Sequence, residues 1–103
     1  MNTVTLIGNV SKAPHFIAGN ENKKAVAYLT VANNDVKNKP VFTEVTVFGR
    51  DAEYAKENIT TGSRIAIVGK LSQRQKKTKN NDTYQELYVS CNELTNLSNS
   101  KEG

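Results

Sequence analysis

A small closed barrel of five β-strands with one short helix, an all-β fold of the OB type, is the fold class this sequence predicts. Three observations lead there. Five short segments alternate apolar and polar residues with the period of a strand, and only one stretch, between the third and fourth, changes to helical spacing. The 103 residues, 37% of them hydrophobic, leave room for one domain with a small core. A β-sandwich would want more strands, whereas a five-stranded Greek-key barrel interrupted by a helix is the OB arrangement.

The first strand is read at 3–7, Thr-Val-Thr-Leu-Ile, ending at Gly8-Asn9. In Pro14-His15-Phe16, the only histidine reads as a surface loop residue. The polar link Gly19-Asn20-Glu21-Asn22-Lys23-Lys24 has the turn chemistry of a hairpin. The second strand, 25–32, puts Leu29 and Val31 on one face and Val26, Tyr28 and Thr30 on the other. The third covers 41–49. In the helix that follows, Asp51 is the expected N-cap, Ala52, Ala55 and Ile59 recur at helical spacing, and Gly62 is the expected stop. The fourth strand runs over 64–74 with Ile65, Ile67 and Leu71 turned to the core. The fifth runs over 84–91 with Leu87, Val89 and Cys91 inward. Between them, 75–83 holds no apolar residue and reads as a long exposed hairpin tip. After Leu97 the chain is expected to fray, which gives a domain at 1–97 and a short flexible end at 98–103.

The third strand carries the functional signal. Val45 and Val47 share one side with Thr43, while Phe42 and Phe48 share the other with Glu44 and Thr46. A polar strand face has no need of two phenylalanines. At about 3.3 Å per residue they stand roughly 20 Å apart, too far for contact. Such rings suit the stacking of unpaired bases, unless a helix or a partner subunit covers them. The fourth strand continues the pattern. Arg64, Lys70, Ser72, Arg74 and Lys76 share parity, Lys77 and Lys79 follow, and no acid falls between Lys70 and Lys79. Cations in that density can track phosphates through counterion release, or can simply solvate a hairpin. On the fifth strand Tyr84 and Tyr88 face outward beside Glu86.

Other chemistries find little support. Fourteen Lys and Arg against ten Asp and Glu give a net charge of +4, a modest excess that fits nucleic acid better than an acidic partner. One His and one Cys far apart make no metal-ligand spacing, no glycine-rich phosphate loop is present, and Asp51, Glu53 and Glu57 are explained as cap and solvated charges. No enzyme activity, cofactor or metal is therefore expected. No apolar run or basic amphipathic helix points to a membrane, and the amino terminus has no secretion signal. The single Cys91 reads as a small core residue and fits a reducing cytoplasm.

Several stretches resemble the bacterial single-stranded DNA-binding protein family. The opening Met1-Asn2-Thr3-Val4-Thr5-Leu6-Ile7-Gly8-Asn9-Val10 with Ala13-Pro14 is similar to its first strand, and Ala25-Val26-Ala27-Tyr28-Leu29-Thr30-Val31-Ala32-Asn33 to its second. Phe42-Thr43-Glu44-Val45-Thr46-Val47-Phe48-Gly49-Arg50 and then Ala52-Glu53 resemble the third strand and the start of the helix. Gly62-Ser63-Arg64-Ile65-Ala66-Ile67-Val68-Gly69-Lys70-Leu71 resembles the fourth. The likeness covers about residues 1–97. It implies an OB-fold that oligomerises, with a tetramer favoured over a dimer, and that wraps single-stranded DNA without reading sequence. Phe42, Phe48 and Tyr84 fall where the family commonly carries stacking aromatics. Lys37 and Lys76 stand where two others are usual, so reliance should shift toward charge. Thr43 stands where some members have an interface histidine. Bacterial members usually continue into an acidic tip that recruits partners. This sequence runs out at Lys101-Glu102-Gly103, so no tail-mediated recruitment is expected.

The candidate DNA-binding set is therefore Lys37, Lys39, Phe42, Phe48, Arg50, Lys70, Arg74, Lys76, Lys77, Lys79, Tyr84 and Tyr88. The expected role is coating of single-stranded DNA in replication, recombination or repair, in the cytoplasm and associated with the nucleoid. The alternative is a small dimeric OB adaptor of the replication-restart type that binds DNA and protein partners. An RNA-binding OB module is a third reading.

Overall fold

A computed structural model describes residues 1–34 and 39–98. Its elements are β1 (Val4–Val10), β2 (His15–Ile17), β3 (Val26–Asn33), β4 (Val41–Phe48), α1 (Arg50–Asn58), β5 (Arg64–Lys77) and β6 (Thr83–Asn96). The sheet order is β1-β5-β6-β4-β3-β2, and further pairing of β1 with β3 closes it into a barrel. The expected OB-type barrel is thus present, with the helix between the strand read third and the strand read fourth.

Strand alternation decides what fills the barrel. Val10, Ala27, Leu29, Val31, Val45, Val47, Ile65, Ile67 and Val89 are buried together with Ala52, Ala55 and Ile59 of the helical segment. Each larger side chain of this set contributes about 1.5–3 kcal/mol by leaving water. Cys91 packs half-buried against this core, donates its thiol hydrogen to the Glu93 carbonyl at 3.2 Å, and is pushed up to about 11 chiefly by burial.

Backbones approach closely where β1 passes from β5 to β3 and where the β5–β6 ladder shifts register. Both places have glycine on the inward face. A Cβ on Gly8 would lie 2.3 Å from the Ala32 carbonyl oxygen, and one on Gly69 would lie 2.3 Å from that of Ser90. Beside Gly69, β6 carries an extra residue: Val68 pairs with Glu93 and Gly69 with Cys91, so Asn92 is bulged and the ribbon twists.

Several expectations need correction. His15, read as a surface loop residue, instead opens β2 on the edge of β3, where it lies opposite Tyr28. The hairpin turn at 20–23 is present. It joins β2 to β3, with Asn20 Oδ1 accepting from the backbone N–H of Asn22 and Lys23 at 2.8 and 3.0 Å. The helix is capped by Gly49 rather than Asp51. Gly49 has φ +64°, and its carbonyl accepts the Glu53 N–H at 3.1 Å, while Asp51 sits in the first turn. The helix ends before Gly62, at Asn58, with Ile59 already extended. Strands β5 and β6 run further than predicted, so the loop read at 75–83 shrinks to a tip at 78–82. Leu71 and Leu87 are not core: they have inward parity but lie 46% and 58% exposed, where the ribbon has passed the end of the barrel. Of the end expected to fray after Leu97, Ser98 is tied down. Its hydroxyl oxygen accepts the Arg64 N–H and its own N–H reaches Asn96 Oδ1 at 3.0 Å. The rest of that end lies outside the described residues.

Candidate nucleic-acid interface

Opposite the core, five strands share one outer face. Register places Phe42, Glu44, Thr46 and Phe48 of β4 beside Ala32, Thr30, Tyr28 and Val26 of β3. His15 of β2 lies beyond Tyr28. On the other side, Thr46 meets Ser90 of β6, whose Tyr84, Glu86, Tyr88 and Ser90 lie opposite Lys76, Arg74, Ser72 and Lys70 of β5. Phe42 is 61% exposed, Tyr84 47% and Phe48 41%. The alternation that buries Val45 and Val47 leaves both phenylalanine rings exposed, and among the described residues nothing covers them.

At its centre the face is organised around Arg74. The guanidinium carbon lies 4.3 Å from the Tyr88 ring centroid and 5.5 Å from that of Tyr28. Arg74 Nη1 donates to the Thr46 hydroxyl oxygen at 3.4 Å. Its Nε donates to Glu86 Oε1 at 2.9 Å, and Lys76 Nζ reaches the same oxygen at 3.2 Å. Cation–π contacts of this kind are worth about 0.5–2 kcal/mol as water is excluded. The arrangement makes Arg74 a fixed post rather than a free arm.

The residues singled out from the sequence divide accordingly. Phe42, Phe48, Lys70, Arg74, Lys76, Tyr84 and Tyr88 share this face. Lys77 has opposite parity to Lys76 at the end of the ribbon, Lys79 is exposed at its tip, and Lys39 is exposed ahead of β4. Arg50 opens α1 and lines a separate cavity with Lys23, Lys24 and Glu53. Lys37 lies outside the described residues.

Over residues 1–97 the sequence matches the model of the single-strand binding protein family. The chain belongs to that family. Single-stranded DNA binding is the general activity of the single-strand binding protein family, and a non-enzymatic one. Among the described residues no helix is long and apolar enough to cross a membrane, and no group of His, Cys, Asp or Glu is placed to hold a metal ion.

In this family member, sequence reasoning left His15, Tyr28, Glu44 and Glu86 out of the candidate set. The parity that put Tyr28 on the polar side of its strand could have found it. The role of Glu86 could not be found that way, because its partners depend on the β5–β6 register. The hydrogen bond from Arg74, and then Lys76, hold the Glu86 carboxyl below its ordinary range against the opposing effect of partial burial. A depressed folded-state pKa stabilises above the unfolded range, and that contribution is lost as pH falls through the lowered value. The melting-temperature difference between the wild type and Glu86→Gln should therefore be present at neutral pH and should shrink on acidification. A difference that stays constant with pH would remove the ion pairs from the stability of the face.

Proposed function

We propose that this chain coats single-stranded DNA, largely irrespective of sequence, and protects it during replication, recombination or repair in the cytoplasm. The observation that carries this reading is the exposure of Phe42, Phe48 and Tyr84 on one outer face with Lys70 at its margin. Rings offer every base a stacking surface, and cations at the margin follow the backbone, so the affinity that these groups supply comes without base reading. Lys39, Arg50, Lys77 and Lys79 would extend the phosphate path beyond the sheet.

A homo-oligomer, with a tetramer favoured over a dimer, accompanies this reading. It is supported by Leu71 and Leu87, which have inward parity and leave apolar surface exposed on the side of the ribbon opposite the aromatic face. The same apolar surface favours a second reading, an adaptor of the replication-restart type that holds an unlike protein there.

Fluorescence anisotropy of labelled poly-dT against a duplex of equal length, at low and moderate salt, tests the proposal. Tight, salt-sensitive preference for the single strand is the expected result. No preference, or no binding at low salt, would overturn it in favour of the adaptor.

A further inference from the structure

Between β2 and the β5–β6 ribbon the outer face dips into a cavity of about 380 Å³, lined by His15, Tyr28, Glu44, Arg74 and Lys76. This lies within the range of about 300–1,000 Å³ typical of small-ligand sites. One wall is aromatic: the His15 and Tyr28 rings stack with centroids 6.0 Å apart and planes 25° apart. Another wall is made by Arg74 and Lys76, both already committed to Glu86 Oε1. Glu44 supplies a third. Its Oε2 accepts the Thr30 hydroxyl at 3.1 Å, and among the described residues no donor meets its Oε1.

The charges decide what such a cavity takes. The two cations are balanced by Glu86 and Glu44, so the site has no surplus positive charge for a phosphate. It has instead a ring surface, N–H donors and a carboxylate with open lone pairs, which together suit an uncharged heterocycle presented by its edge. Guanine fits this set best. Its Watson–Crick edge carries two adjacent donors, N1–H and the N2 amine, beside the O6 acceptor. A carboxylate can take both donors while a neighbouring lysine or arginine N–H meets O6. Thymine has a single ring N–H donor and no amine, and adenine and cytosine lack the adjacent donor pair.

We propose that this cavity is a base-reading subsite that takes one unstacked guanine of the bound strand, with Glu44 accepting from its N1–H and N2 amine and Lys76 or Arg74 donating to O6. The inference rests on the reading of the outer face as a single-strand platform, and it adds a preference where that reading supplies none. Matching an edge hydrogen bond for hydrogen bond discriminates between bases far more sharply than stacking does.

The test is competition anisotropy with short oligo-dT in which every fourth residue is replaced by dG, dI, dA or dC. The dG oligomer should bind roughly fivefold or more tighter than all-dT, since one bidentate pair suffices for that ratio. The dI oligomer, which lacks only the N2 amine, should lose most of the gain. Glu44→Ala should abolish the dG preference, read as the ratio of dG-oligomer to all-dT affinity on that same variant. Should that variant fail to fold, the dG–dI comparison on the wild type still decides. Equal affinity for dG and dT, equal affinity for dG and dI, or a dG preference that survives Glu44→Ala would each overturn the subsite. Binding of all-dT with no base preference would overturn the subsite alone. Failure to bind any strand would overturn the platform as well.

Discussion

Replacing Phe42 and Phe48 together with alanine is expected to weaken binding of oligo-dT at least about thirtyfold while leaving the fold intact. Stacking on an aromatic side chain is worth about 1–3 kcal/mol per base. Two platforms therefore supply about 2 kcal/mol at the least, and each 1.4 kcal/mol is tenfold in affinity. The folded state should lose much less, because the rings are 61% and 41% exposed and the core on the other side of the strand is made by Val45 and Val47. The two sites lie roughly 20 Å apart on one strand, so the single substitutions should add within about 0.5 kcal/mol. Anisotropy titration paired with thermal melting checks both halves. A large loss of melting temperature from Phe48→Ala alone would show that its ring packs as core, and the face would then lose one of its two phenylalanine platforms.

Gly69→Val should have the largest effect on stability. The Cβ of any side chain there would sit 2.3 Å from the Ser90 carbonyl oxygen and 2.9 Å from Val89 Cγ1. The first neighbour is backbone and cannot rotate away, so β5 and β6 must separate at the bulge. The expected cost is about 3 kcal/mol, at the upper end of overpacking. For a domain of this size that lowers the melting temperature by roughly 12–24 °C. Gly62→Ala is the informative contrast. Gly62 has φ +93° but nothing within 4 Å of an added Cβ, so only backbone strain applies, and about 1 kcal/mol is expected. Urea denaturation of the two variants ranks them, and comparable midpoints would refute the close-approach account of Gly69.

Much of this was legible in the residues, for reasons that also mark where legibility stopped. The period-two alternation of 41–48 fixed which side of that strand carries Phe42 and Phe48, because one side had to hold the valines. Leu71 and Leu87 show the weakness of the same rule. Parity tells which side a residue is on, but not where along a long ribbon the barrel ends. The three-residue β2 is too short to carry a period, and its existence depends on the free edge of β3. Arg74 and Lys76 looked like free cations in an acid-free run. Their partner Glu86 is close only through cross-strand register, which lies outside any local pattern. The resemblance to a known family brought the stacking positions forward, but it had no bearing on the pairing of Arg74 and Lys76 with Glu86 at the centre of the face.

The two seams that close the barrel have a consequence in time. Each consists of two residue pairs, Asn9 with Ala32 and Val10 with Val31 on one side, Val45 with Val89 and Thr46 with Ser90 on the other. The antiparallel β3–β4 and β5–β6 ladders join segments near in sequence and can grow on the microsecond scale of hairpins. The β4–β6 seam and the β1–β5 ladder join segments far apart in the chain, and their closure entropy must be met before any of their contacts count in its favour. Refolding of such a barrel belongs to the millisecond-to-second regime. Its slow event is the meeting of two ready-made ribbons, and until they meet the outer face does not exist as a surface.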